Sequence, residues 1–208
     1  MNTPMIIEAL TAVQRAILAN EAQIESLDRA IGDGDHFINV RRGCEVLVVL
    51  SPDLKGMPPG LALHKIGMKL LGTIGGASGP LISSFFMAMG QALQDTDEPD
   101  RRQFAAAFAN GVEAIKLRGK ADVGEKTMLD VLIPVSRLLL KLTEQGLPLP
   151  ELCAHLKDEA SRNMLATKDM IASKGRASFL GERALGHIDP GCKTCEVAIA
   201  AVCDTVLQ

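Results

Sequence analysis

Residues 3–31 read TPMIIEALTAVQRAILANEAQIESLDRAI. Ile6, Leu10, Val13, Ile17, Ile24 and Leu27 recur there at intervals of mostly three, four or seven, the spacing that lines one face of an α-helix. The stretch predicts one amphipathic helix of about two dozen residues. The same period returns down the chain at Val40, Cys44 and Leu47, and at Leu63, Ile66 and Leu70 beyond the breaker Pro58-Pro59-Gly60. It continues at Leu81, Phe85 and Met89 after Gly79-Pro80, at Phe104, Phe108, Gly111 and Ile115, and at Met128, Leu132, Val135, Leu139 and Leu142. Two further faces run from near Pro150 through Leu152, Leu156, Met164 and Ala172, and from Thr194 through Val197, Ala201 and Asp204. No stretch alternates apolar and polar residues for long enough to compete, so the expected fold is all-α with about eight helices.

The breaks between these faces fall at DEPD (97–100), RGKADVGEK (118–126) and GLPLP (146–150), none long enough for a flexible linker. One domain over residues 1–208 is expected. With 47% hydrophobic and 23% charged residues the chain lies far from disordered compositions. Six Phe with no Trp or Tyr leave a core of Leu, Ile, Val, Ala and Met, a helix-favouring set. A formal charge of -3 removes the basic field that nucleic-acid binding needs. No apolar run approaches a membrane span, and Glu8 interrupts the apolar start, so a soluble cytoplasmic chain is expected. Five cysteines are then expected to stay reduced. Cys192 and Cys195 form a CxxC without a second Cys or His pair at zinc spacing, and read as two small residues opening a helix.

Three segments are too rich in Gly and charge to be minimal connectors. In the first, Asp28, Asp33 and Asp35 lie within eight positions, with Gly32 and Gly34 interleaved so that the backbone turns sharply. Converging carboxylates repel unless a cation sits between them, and oxygen-only ligands select Mg²⁺ or Ca²⁺. An EF-hand starting at Asp33 fails, because Ile38 and Cys44 stand where Gly and Glu are required. Spacing alone leaves open a simple Asx turn capping a helix at His36. In the second, GGASGP (75–80), residues Gly76, Ala77, Ser78 and Gly79 would offer free N–H groups at a helix start, a cradle for phosphate. Taken alone the loop fits a tight interhelical turn with an ordinary N-cap better, and it lacks the Gly-Lys-Ser/Thr ending of a Walker A motif. In the third, KGRASFLGERALGHIDPG (174–191), a guanidinium, of Arg176 or Arg183, can neutralise phosphate charge and Asp189-Pro190-Gly191 forms a stiff turn; the alternative is a solvated loop. A carboxylate trio and a Gly-rich helix start are complementary halves of a nucleotide site. No nucleophile-and-base pair is marked anywhere.

GDGDH (32–36), GGASGP, RGKADVGEKTMLD (118–130) and GRASFLGERALGHIDPG (175–191) together resemble, in order and spacing, the nucleotide-binding L subunits of bacterial dihydroxyacetone kinases. The resemblance covers nearly the whole chain. It implies an antiparallel barrel of eight helices with the nucleotide held by the loops at one end. It also implies that Asp28, Asp33 and Asp35 ligate Mg²⁺, and that His36, Phe37, Ile38, Asn39, Gly76, Ala77, Ser78, Gly79, Gly119, Thr127, Met128, Arg176, Asp189, Pro190 and Gly191 surround ADP. Phe37 stands where the family usually carries a small residue. No room remains for a ketone-binding domain, so the implied chain is a free-standing subunit whose retained ADP is phosphorylated in place by a phosphohistidine-donating M subunit. The phosphoryl group then passes to dihydroxyacetone on a K subunit. A homodimer, a kinase of another short ketose, and a nucleotide-sensing partner of a transcription regulator are further possibilities the resemblance carries.

Overall fold

The computed structural model describes residues 1–76 and 78–208; Ala77, one of the expected cradle residues, lies outside the described residues. The described residues form nine α-helices and two 3-10 segments, with no strand among them. The helices are α1 (Thr3–Ala19), α2 (Glu21–Ile31), α3 (His36–Leu54), α4 (Pro59–Leu71), α5 (Ser78–Ala92), α6 (Arg101–Gly119), α7 (Leu129–Glu144), α8 (Leu149–Ala166) and α9 (Pro190–Thr205).

The single helix expected over the first segment is two. Asn20 ends α1 with φ -104° and ψ 12°, and its side-chain amide donates to the Ala16 carbonyl at 2.8 Å. That side chain competes for a helical acceptor, which bends the helix. The ladder still bridges the bend, with Ile24 N–H donating to Asn20 O at 3.0 Å, so α1 and α2 form one kinked stave.

Packing closes a ring. α1 lies against α3, α3 against α4, and each later helix packs on the next through α9, which returns to α1. Short connections make such neighbours antiparallel. The eight expected staves are therefore present, and α2 leans outward against α3, α9 and the 3-10 segment Arg176–Ala184. Backbones of α4 and α5 touch: a methyl group on Gly60 would lie 2.5 Å from Leu93 O, and one on Gly90 would lie 2.6 Å from Gly60 O. Inside the ring runs an apolar cavity of about 500 Å³ lined by residues such as Leu10, Leu47, Phe85, Leu132 and Val202.

Alternation sorts the connections between two ends. At one end the Met1 ammonium donates to Pro99 O at 3.2 Å, Thr3 Oγ1 to Met57 O at 2.6 Å, and an Arg101 guanidinium N–H to Leu147 O at 2.6 Å, linking the 55–58, 93–100 and 145–148 connections. The opposite end gathers segments 32–35, 72–76, 120–128 and 167–189. Several boundaries differ from expectation. α5 begins at Ser78, before Pro80; α8 stops at Ala166, leaving Ala172 in the following loop; and α9 begins at Pro190, four residues before Thr194. Asp189-Pro190-Gly191 is thus no free turn. Asp189 caps α9, accepting from Cys192 N–H at 2.7 Å, and Pro190 takes the first helical position, where its missing N–H costs nothing.

Candidate functional site

The three carboxylates converge as expected. Oxygen atoms of Asp28, Asp33 and Asp35 lie within 4.8 Å of one another, Asp28 buried and the other two exposed. Asp28 sits in the last turn of α2 and reaches across the link, its Oδ2 accepting the His36 N–H at 3.0 Å. Asp35, at the N-cap position of α3, makes no capping bond. The turn alternative is therefore realised with a different residue: Asp28 caps α3 from outside, and neither Asp33 nor Asp35 is used as its cap. Gly32 is required here, since its Cβ would collide with Asp28 Oδ1. Gly34 turns through φ +80°, a conformation that side chains rarely adopt.

Loss of solvent and then the hydrogen bond and charge of Asp33 push the Asp35 carboxyl above its ordinary value, with Asn39 pulling back and Asp28 adding repulsion. Anions crowded in this way fit a hard divalent cation, which takes carboxylate oxygens at 2.0–2.6 Å.

His36 opens α3 with Nε2 2.8 Å from Thr194 Oγ1. The Thr194 hydroxyl donates to Pro190 O at 2.9 Å, which ties the imidazole to the first turn of α9. Burial pushes this imidazole below its ordinary value, opposed by Asp28 and Asp35. The side chain of Phe37 turns away from the carboxylates into a core with Ile17, Ile24 and Val197, where it is only 1% exposed. Any contact it makes with a ligand is therefore through its backbone. Ile38 is exposed and Asn39 buried.

Beside them lies the start of α5. Gly76 adopts φ +66°, and Ser78 and Gly79 are the first residues of the helix, where backbone N–H groups have no partner within the helix itself. Gly79 abuts the Ile74 carbonyl, leaving no room for a Cβ. Gly119 ends α6 against Leu81, and Thr127 and Met128 precede α7. Met128 also faces Gly191, whose Cβ would come 3.6 Å from that of Met128. Arg176 heads the 3-10 segment, and its Nε lies 2.7 Å from Asp33 Oδ2. The structure thus brings the expected site residues among the described ones to one end of the barrel.

Two residues of this end were not expected. Asp130, 1% exposed, accepts Gly124 N–H at 2.5 Å and Thr127 N–H at 2.7 Å, shaping the 120–128 loop. The pattern Thr127-x-x-Asp130 before an apolar run is a capping signature that marks it in the sequence. Lys126 is equally buried, and its ammonium donates to Thr167 O, Met170 O, Ala184 O and His187 O at 2.9, 3.1, 2.7 and 2.8 Å. Asp189 lies in the same neighbourhood. Burial, with Asp130 adding repulsion, pushes its carboxyl up to about 6 against the pull of the Cys192 bond and Lys126.

Cys192 is buried, its Sγ 2.8 Å from Thr127 O, and Cys195 is half-buried one turn on. Burial holds the Cys192 thiol well above its ordinary value and pushes Cys195 up to about 12. Both are poor nucleophiles and poor metal ligands, as the sequence suggested. All five cysteines are free, and among the described residues no helix is long and apolar enough to cross a membrane.

The chain is 37% identical over 191 residues to the ADP-binding subunit DhaL of the PEP-dependent dihydroxyacetone kinase of Escherichia coli, covering 92% of this chain and 91% of that one. It is 39% identical over 186 residues to the ADP-binding subunit DhaL of the PTS-dependent dihydroxyacetone kinase of Lactococcus lactis, covering 89% and 88%. The crystal structure of the dihydroxyacetone kinase from C. freundii in complex with AMP-PNP and Mg²⁺ superposes with a TM-score of 0.77 at 25% identity; the match covers 97% of this chain and 34% of that one. A DAK2 domain model matches residues 30–204, and with such relatives the chain belongs to the DAK2 domain family.

Proposed function

We propose that this chain is the ADP-binding subunit of a phosphoenolpyruvate-dependent dihydroxyacetone kinase. The observation that carries the reading is the opposition, at one barrel end, of three carboxylates within 4.8 Å, the N-terminus of α5, and an Arg176 guanidinium already on Asp33. Relatives of matching length bear that function in their names. A C. freundii kinase of this fold was crystallised with AMP-PNP and Mg²⁺.

Bound Mg-ADP supplies the phosphoryl-accepting and phosphoryl-donating group; the residues of this chain bind, orient and neutralise. Asp28, Asp33 and Asp35 hold the cation. The N–H groups of Ser78 and Gly79, at the positive end of a fifteen-residue helix, would bind phosphate oxygens. Arg176 exchanges its carboxylate partner for phosphate, for which its planar fork is suited. No side chain here acts as a nucleophile, which accords with phosphoryl transfer promoted by positioning and charge neutralisation. The ketone and the phosphohistidine donor belong to K and M subunits that meet this end in turn. Because the ketone lies on another subunit, the same architecture serves other short ketoses; a chain from Pectobacterium atrosepticum named L-erythrulose kinase is 30% identical over 200 residues, 33% of its length.

The test is reconstitution. Phosphoenolpyruvate, the general phosphotransferase proteins, K, M and this chain should phosphorylate dihydroxyacetone, and omission of any one should stop turnover. Acid treatment of the purified chain incubated with Mg-ADP should release adenine nucleotide. Full turnover from ATP with this chain alone would overturn the reading.

A further inference from the structure

The segment that carries Arg176 is anchored by little apolar packing. Between Met170 and Ala184 it places Ala172, Ala177 and Ala184 around Ile31 of α2, with Leu180 partly buried. Its one aromatic residue, Phe179, is 81% exposed. Alanine side chains bury about one methyl each, worth roughly 1 kcal/mol or less apiece, too little to hold some fifteen ordered residues against their lost freedom. Polar ties do the remaining work, and four of them converge on one atom. Lys126 Nζ donates to the carbonyls of Thr167, Met170, Ala184 and His187, which bracket the segment on both sides. The neighbouring ties come from the same 120–128 loop: Ser173 N–H donates to Glu125 O at 3.3 Å and Ser173 Oγ to Glu125 Oε1 at 2.7 Å.

Lys126 reaches this place at a cost. Its backbone sits at φ +58°, left-handed for a residue with a side chain, and its ammonium is desolvated. Three ammonium protons serve four carbonyls, so replacing the cation with an apolar stem leaves several buried acceptors unpaired.

We propose that Lys126 is a positioning residue of the nucleotide site: its buried ammonium closes the base of segment 170–184 and thereby holds Arg176 over Asp33 and the phosphate position. The proposal deepens the nucleotide reading above and rests on it. Lys126 touches no phosphate; it acts through Arg176.

A double-mutant cycle tests this on the full chain. Lys126→Met and Lys126→Arg are each made with Arg176 intact and with Arg176→Ala, and Mg-ADP affinity is measured by calorimetry. With Arg176 present, Lys126→Met should weaken binding about tenfold and Lys126→Arg less, since the cation is kept; with Arg176→Ala either change should cost less than about twofold. Amide exchange across residues 174–185 of the ligand-free protein should accelerate in both Lys126 variants while α4 to α7 stay protected. Should Lys126→Met not fold, the same cycle is read on Lys126→Arg. Equal weakening in both Arg176 backgrounds, or unchanged exchange in 174–185, would overturn the role of Lys126. Absence of Mg-ADP binding by the unmodified chain would instead bring down the nucleotide reading beneath it.

Discussion

The Asp28 carboxylate, 4% exposed, accepts the His36 backbone N–H at 3.0 Å and so caps a helix it does not belong to. One oxygen is committed to the fold and the other is free for a cation. Asp28→Asn keeps an acceptor for the cap and removes the charge. It should leave the helical circular dichroism and melting temperature nearly unchanged while Mg-ADP retention is lost. Asp28→Ala loses both and should cost about 1 kcal/mol of stability in addition. Equal melting of the two variants would refute the capping role.

Gly32→Ala tests the same link by steric means. The added methyl collides with Asp28 Oδ1 and approaches Asp28 O at 2.8 Å, so the carboxylate has to move. A loss of about 1–3 kcal/mol is expected from the displaced turn, with weaker nucleotide retention than in the parent. Denaturant titration with and without Mg-ADP reads both.

The Arg176–Asp33 pair is short at 2.7 Å, but the Arg176 side chain is 70% exposed. Exposed pairs contribute about 0–1 kcal/mol, so Arg176→Gln should barely alter unfolding of the ligand-free chain. Its effect should appear only in Mg-ADP affinity, as a loss of about tenfold, the scale of one charge-assisted contact. A large stability change without ligand would recast Arg176 as structural.

Asp189 sets a pH dependence. Its carboxyl is raised in the folded chain to about 6 from 3.8, so between those values the folded state binds more protons than the unfolded one. Stability should therefore fall as pH rises from about 4 through about 6, by on the order of 2 kcal/mol from this group. Asp189→Asn keeps a cap for Cys192 N–H and should flatten that slope in urea midpoints measured from pH 4 to pH 7.

Cys192→Ser with Cys195→Ser should preserve nucleotide retention, since a serine hydroxyl can still donate to Thr127 O. In the native chain a thiol reagent should react slowly at these positions, because burial keeps both thiols protonated, and all five cysteines should react once the chain is denatured. Loss of nucleotide retention in the double variant would reopen a functional CxxC.

Much of this architecture is written in periodicity. Faces such as Leu63–Ile66–Leu70 and Leu132–Val135–Leu142 are core because helices bury the residues three, four and seven apart. What the period does not encode is where a polar side chain redirects the backbone. Asn20 breaks α1 from α2 while leaving the apolar face aligned on both sides, so the face alone reads as one helix. Asp189-Pro190-Gly191 has turn composition and becomes a helix start, since the same residues suit both. The carboxylate trio was legible because its members are close in sequence. Lys126 was not: a lysine in RGKADVGEK looks solvated, and its four acceptors lie 41 to 61 positions away.

The sorting of connections between the two barrel ends also determines where the chain can accept foreign sequence. The 93–100 connection lies with Met57, Leu147 and the N-terminus, at the barrel end opposite Asp28, Asp33 and Asp35, and Asp95, Asp97 and Glu98 are polar residues in its exposed stretch. Lengthening an exposed loop costs little, about 0.6 kcal/mol per doubling. A reporter peptide inserted between Asp95 and Glu98, ahead of the Pro99 carbonyl and of Asp100, whose side chain caps α6 by accepting the Gln103 N–H at 2.8 Å, should therefore be tolerated. The same peptide between Gly124 and Lys126 would splay the opposite mouth, making the barrel a scaffold with one face open to engineering and one closed to it.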